Sequence, residues 1–250
     1  MKRVLHFFLL LPLLMACSNE DDITMAEGEG RLVINNVVRQ EIAKSSVHTR
    51  SAVDADLALE ILDAEGNVYR GMQYVAGAAL PQTFSLIVGD YTLRAYTENQ
   101  TTWTTDNDGR GSAIYEGEEH FGIEADWVTY VNLAVPMINY GVTYTVPEHF
   151  DEWFPTCEFT VGCGDRSCQL TTGQTAYFDP ADAYFAFSLH LINSEGEEYD
   201  VELQTYDNPK AGIIYNVNLG FASDDDPTKL KIGISYDDTY EEIVHEITLY

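Results

Sequence analysis

The cysteines are the first residues whose chemistry depends on spacing. Cys163 and Cys168 flank Gly164-Asp165-Arg166-Ser167 in "GCGDRSC", a run that reads as a tight hairpin. In an oxidising compartment a disulfide across that loop is the expected use of the pair. So small a ring adds limited chain-entropy stabilisation, about 2 kcal/mol or less. Cys157 is then left over and reads as a small hydrophobe beside Phe159. A zinc site is the poorer alternative, because no histidine stands at ligand spacing nearby. "TTDNDGRG" sets out Asp106, Asn107, Asp108 and Gly109 as a calcium loop begins, but Gly117 stands where the loop's closing glutamate belongs. That run and Asp224 to Asp226 both read as solvated turns. No metal and no cofactor is expected.

Catalysis has little to stand on. His48, His120, His149, His190 and His245 are scattered, and none accompanies a nucleophile motif or a phosphate-binding glycine loop. With 41 acidic residues against 13 basic ones, chance pairs of carboxylates arise anywhere, so none singles out a glycosidase pair. No catalytic residue is assigned and no enzyme is expected. Trp103 and Trp127 are residues that stack on sugars from a β surface, but core or hairpin packing is the favoured use of each. The net charge of −28 repels phosphate backbones and disfavours direct docking to anionic membrane surfaces, which excludes nucleic acid as a partner. Its plain use is solubility.

The elements that must position these residues are strands. Sixteen Tyr, eleven Phe and eighteen Gly accompany short apolar runs bounded by turn residues. "DLALEILD" puts Leu57, Leu59 and Ile61 on one face, and Glu65-Gly66-Asn67 supplies a hairpin-like turn. After "QTFSLIV" and a tight Gly89-Asp90 turn, Tyr91, Leu93 and Ala95 share a face, as do Val131, Leu133 and Val135. The pattern pauses near Pro136. "PEHFDEWFP" reads as an amphipathic piece whose Phe150, Trp153 and Phe154 cap a core. Strands then resume, with Phe185, Phe187, Leu189 and Leu191 on one face and Leu230, Ile232, Ile234 and Tyr236 on another. Period-two alternation of this kind predicts an all-β chain of two consecutive antiparallel β-sandwich domains, residues 30–136 and 137–250. A faint echo links Gly-Asp-Tyr-Thr-Leu in the first half to Gly-Ile-Ile-Tyr-Asn-Val in the second.

The leader decides the compartment. Lys2 and Arg3 precede an apolar run from Val4 to Met15 that is shorter than the roughly 20 residues a membrane-spanning helix needs. Leu14-Met15-Ala16-Cys17 resembles the bacterial lipobox, which makes residues 1–17 a lipoprotein signal peptide and Cys17 the acylated first residue of the mature chain. Acyl chains contribute about 0.8 kcal/mol per buried methylene, enough to anchor without a helix. Ser18, Asn19, Glu20, Asp21 and Asp22 look like the export signal of surface lipoproteins of the Bacteroidota. They open an acidic tether over residues 18–29 and imply the outer face of the outer membrane.

"LPQTFSLIVGDYTLRAYT" followed by "YEGEEHFGIEADWVTYVNLAVPM" resembles the fimbrillin-like surface lipoproteins of Bacteroides and relatives, through Gly89, Tyr91, Ala95, Tyr115, Gly117, Phe121, Ile123, Val131 and Leu133. The resemblance implies transthyretin-like or Ig-like sandwiches and a structural or adhesive role, as a pilus component or adhesin at the cell surface. It also implies cutting by an arginine-specific protease after the first strand, with Arg50 and then Arg39 as candidates, and donor-strand exchange with other fimbrial subunits. The alternative is a surface glycan-binding lipoprotein of a polysaccharide-uptake system. A host or dietary glycan or protein is the ligand class expected.

Overall fold

The computed structural model describes residues 28–40, 52–98, 107–223, 226–237 and 239–248. They form β1 (Glu29–Gln40), β2 (Ala52–Val53), β3 (Ala58–Leu62), β4 (Val68–Tyr74), β5 (Phe84–Ile87), β6 (Gly89–Tyr96), β7 (Glu116–Ile123) and β8 (Val128–Pro136). The second half holds β9 (Tyr140–Thr145), α1 (Phe150–Trp153), β10 (Thr156–Cys163), β11 (Arg166–Leu170), β12 (Thr175–Phe178), β13 (Tyr184–Ile192), β14 (Glu198–Asp207), β15 (Ile214–Ser223), β16 (Asp226–Tyr236) and β17 (Thr239–Thr248). Each half is a β-sandwich. In the first, β8, β1 and β5 with β2 face the sheet β4-β3-β6-β7; in the second, β12-β9-β15-β16-β17 faces β11-β10-β13-β14.

Alternation fills both cores as the sequence leads one to expect. Leu59 and Ile61 meet Tyr91, Leu93 and Ala95 in one buried cluster, with Val131, Leu133 and Val135 across from them. Phe185, Phe187, Leu189 and Leu191 oppose Leu230, Ile232 and Ile234 in the other. β1 breaks the alternation: Leu32 and Val37 are five residues apart yet both fully buried. A bulge between Ile34 and Asn36 shifts the phase and returns Val37 to the core.

Strand direction departs from the expected antiparallel pattern at three places. β1 runs parallel to β8 and to β2, and β9 runs parallel to β15. The seven strands β1, β3, β4, β5, β6, β7 and β8 have the same order and pairing as β9 to β15, so the two halves repeat one topology. The sequence echo pairs the wrong elements, since β6 corresponds to β13 and β15 to β8. The Gly89-Asp90 step is not a hairpin turn either, because β5 and β6 lie in different sheets.

The connection from β6 to β7 ties the halves together. Tyr177 N–H donates to Arg110 O at 2.7 Å, and the Arg166 guanidinium donates to Gly109 O at 2.7 Å while lying over the Phe178 ring. Asn139, only 3% exposed, accepts from Ile114 N–H and donates to Ser112 O, both at 2.9 Å. Asn139→Ala leaves a buried donor and a part-buried acceptor unpaired, so a loss of about 2–4 kcal/mol is expected in urea unfolding. A loss below about 0.5 kcal/mol, the level of an ordinary surface change, would show that the amide is not the clamp.

Candidate functional site

The candidate site is the seat of β1. On one side β1 pairs with β8 from Arg31 to Gln40. On the other it pairs with β5 at its start and β2 at its end. Leu32 and Val37 drop from it into the core at 0% exposure. The corresponding strand of the second half, β9, follows β8 after only Met137, Ile138 and Asn139, and the far edge of its partner β15 is covered by β16 and β17. β1 instead leaves its sheet into the segment that carries Arg50, and the chain re-enters the same sheet at β2. β9 is thus tied at its start to β8 by three residues and at its end to β10 through α1, whereas β1 is tied at its end to β2 by residues 41–51, the connection that carries Arg50.

Arg39 closes the far end of the seat. Its Nε donates to Asp54 at 2.7 Å, its Nη2 to Asp56 at 2.8 Å, and its guanidinium lies 5.4 Å from the centre of the Tyr115 ring. Partial burial works against its charge, but the hydrogen bond and attraction to Asp54 and Asp56 outweigh it and raise its pKa. Asp54 also takes a place in the turn, its N–H donating to Val37 O and its Oδ1 accepting from Asp56 N–H. Arg39 is therefore a structural clamp set in a ladder, paired with Val135. Arg50 lies outside the described residues, as do Cys17, the segment Ser18 to Asp22, His48, Trp103, Asp106 and Asp224.

The residues that resemble the fimbrillin-like pattern are packing positions beside this seat. Tyr91, Ala95, Ile123, Val131 and Leu133 are buried. The Tyr91 hydroxyl donates to Ile87 O at 2.9 Å, a tie back to the chain four residues upstream, and burial pushes its pKa up to about 12. Gly117 keeps β7 against β8, where a Cβ would stand 3.2–3.3 Å from Pro136 Cδ, Ala134 O and Val135 Cα.

The cysteine pair is not joined: Cys157, Cys163 and Cys168 are all free. The hairpin is tighter than the sequence suggests, with Cys163 opposite Arg166 and Cys168 opposite Val161. The two cysteines are thus diagonal neighbours, whose Cα separation of about 7–8 Å exceeds what a disulfide spans. Burial raises all three thiol pKa values, Cys157 to about 11, so none is an activated nucleophile.

His120, His149 and His190 have separate partners. His120 meets Thr92 at 2.7 Å, His149 meets Glu152 and His190 meets Asp200, each at 2.8 Å. His245 lies on β17. Asn107 is a turn residue, its amide donating to Gly111 O at 2.7 Å. Among the described residues no group of three or more His, Cys, Asp or Glu is placed to hold a metal ion. One polar cluster went unnoticed in the sequence: on the outer face of the β3–β6–β7 sheet, Arg94 sits among Glu60, Glu116 and Glu118. Glu60 is 7% exposed and accepts from Gln73 at 2.7 Å and from the Tyr96 hydroxyl at 2.9 Å. Only cross-strand register brings those side chains together.

Two tryptophans sit where packing was not expected to leave them. Trp153 is 49% exposed while Phe150 and Phe154 are buried, and Trp127 is 68% exposed on the connection from β7 to β8. Among the described residues no helix is long and apolar enough to cross a membrane.

Among solved structures, the chain is similar to a fimbrial assembly protein from Parabacteroides distasonis at 11% identity, with 87% of this chain and 99% of that one covered and a TM-score of 0.46. It is also similar to the fimbrial anchor protein Mfa2 from Porphyromonas gingivalis at 11% identity, with 87% and 100% covered and a TM-score of 0.36. No curated protein matches. One family model spans residues 28–250, both sandwiches with every strand described above, and the chain accordingly belongs to that family, the domain of unknown function DUF4493.

Proposed function

We propose that the chain is a cell-surface protein with a structural or adhesive role, a fimbrillin-like pilus component or adhesin built as two domains that divide near residue 136. It is held on the outer membrane by lipid at Cys17, with Ser18 to Asp22 directing it to the outer face. The observation that carries this reading is the seat of β1. A strand buried in mid-sheet, yet joined to its domain by a long arginine-bearing connection, is built to be exchanged. Cutting after Arg50 would leave β1 held by its ladders, by Leu32 and Val37, and by the clamp from Arg39 to Asp54 and Asp56. Its departure would expose the inner edges of β8 and β5 to a strand from another subunit.

An arginine-specific protease tests this on the folded chain. One cut after Arg50 is expected, with the Arg39–Gln40 bond spared because the clamp to Asp54 and Asp56 holds it in the ladder. Mass spectrometry locates the cut, and ladders of polymer in mild detergent report strand exchange. Mature protein recovered from cells with Cys17 and Ser51 in one unbroken chain, and forming no polymer after proteolysis, would sink the subunit role.

A further inference from the structure

We propose that the end of the first sandwich where β1 begins is a lipid-docking face, on which Trp127, Val88 and Ile87 enter the interfacial region of the bilayer and Val128 and Tyr130 line its border. The inference rests on the proposed lipid anchor at Cys17.

Five of the exposed large apolar side chains gather at this one corner: Trp127 at 68% exposure, Tyr130 at 62%, Val88 at 48%, Ile87 at 43% and Val128 at 38%. Backbone ties hold them around the first residues of β1. Val88 N–H donates to Gly28 O at 2.9 Å, and Arg31 N–H donates to Trp127 O at 2.8 Å. Ile87 stands opposite Glu29, Val128 opposite Arg31 and Tyr130 opposite Val33, which puts Ile87, Val128 and Tyr130 on the outward face of one sheet. An exposed apolar cluster is costly to keep in so acidic a protein unless something covers it.

The occupant is identified by where the chain goes. Gly28 is the point from which the backbone continues toward Cys17, eleven residues away in sequence. Eleven residues span at most about 38 Å when fully extended. A lipid at Cys17 therefore keeps this corner, and no more distant one, within a few nanometres of the bilayer. Tethering of that length sets an effective concentration in the millimolar range, so a patch of five side chains docks without high intrinsic affinity. Trp and Tyr suit this depth, since each presents an apolar ring and a polar tip at the headgroup level.

Charge does not drive the contact. Glu124 and Asp126 flank Trp127 on the connection from β7 to β8, and Glu29 accompanies Arg31 on β1. Insertion is therefore apolar, suited to zwitterionic lipid and insensitive to salt, in keeping with a net charge that repels anionic surfaces.

The test uses the acylated full chain purified from membranes and reconstituted into phosphatidylcholine vesicles that carry brominated acyl chains. Tryptophan emission is expected to be quenched, and most of that quenching is expected to disappear in Trp127→Phe, a change at an exposed ring that leaves the fold intact. Added anionic lipid is expected to give no increase. Protein that floats with the vesicles but shows no bromine quenching at Trp127 overturns the docking face and leaves the anchor standing. Protein that does not float overturns the anchor and the docking face together. Retention on a polysaccharide gel that Trp127→Ala abolishes, without lipid quenching, assigns the corner to a glycan and overturns the proposal.

Discussion

Replacing Gly30 with alanine is expected to destabilise the first sandwich by about 3 kcal/mol or more, at the upper end of what overpacking costs. Gly30 lies near the start of β1, buried between Leu86 of β5 and the connection from β7 to β8. A Cβ there would stand 2.3 Å from Glu124 O, 2.8 Å from Ile123 Cγ2 and 3.2 Å from Trp127 O. Two of those three atoms are backbone carbonyl oxygens that cannot rotate away. That connection cannot retreat without breaking the bond from Arg31 N–H to Trp127 O or that from Asp126 N–H to Glu29 O. Urea unfolding measures the loss. Gly66→Ala is the control, because Gly66 has φ of +81° and open space where a Cβ would go. It carries only the left-handed backbone cost of about 1–2 kcal/mol. Equal losses at the two glycines would mean that close approach at Gly30 is not what selects glycine.

The second large effect is expected at Phe159, where alanine should remove about 3–5 kcal/mol. Phe159 is fully buried on β10, a central strand of its sheet. Its ring stacks on Tyr144 from the facing sheet with centroids 4.5 Å apart and 10° between planes, and on Phe187 of β13 at 5.7 Å and 19°. The middle ring of three holds the two layers together, so its loss leaves a cavity bounded by rings that cannot close over it. Phe159→Leu keeps most of the volume and should cost roughly 1.5 kcal/mol or less. Folded domains are stable by only about 5–15 kcal/mol, so the alanine variant should show a sharply lowered urea midpoint. Near-equal midpoints for the two variants would place the structural weight elsewhere in the core.

The sequence by itself determined the class of fold and the membership of its cores. Side chains alternate with period two along any strand, so Tyr91, Leu93 and Ala95, or Phe185, Phe187 and Leu189, declare a common buried face without reference to a partner strand. Turn chemistry is equally local: Asp63 Oδ1 accepts from the N–H of Glu65 and of Asn67, and Gly66 takes the positive φ the turn requires. The resemblance to fimbrillin-like proteins was legible for the same reason, because its marked positions lie on β6, β7 and β8 or, for Tyr115, just before β7.

What the tertiary structure decided is everything that depends on which strands become neighbours. Alternation says nothing of direction, so the parallel pairs β1–β8 and β9–β15 and the repeated topology of the two halves emerge only from the assembled sheets. Register, not sequence spacing, separates Cys163 from Cys168 and gathers Glu60, Glu116 and Glu118 around Arg94. In the sequence Arg39 is the second candidate for cutting; its partners Asp54 and Asp56, fifteen and seventeen residues away, meet it only in the fold. Trp127 looked like a packing residue, and only the tie from Arg31 N–H to Trp127 O places it, exposed, beside the start of β1. Burial of one residue is a property of its own strand, whereas the clamp at Arg39 and the cluster at Arg94 are made between strands.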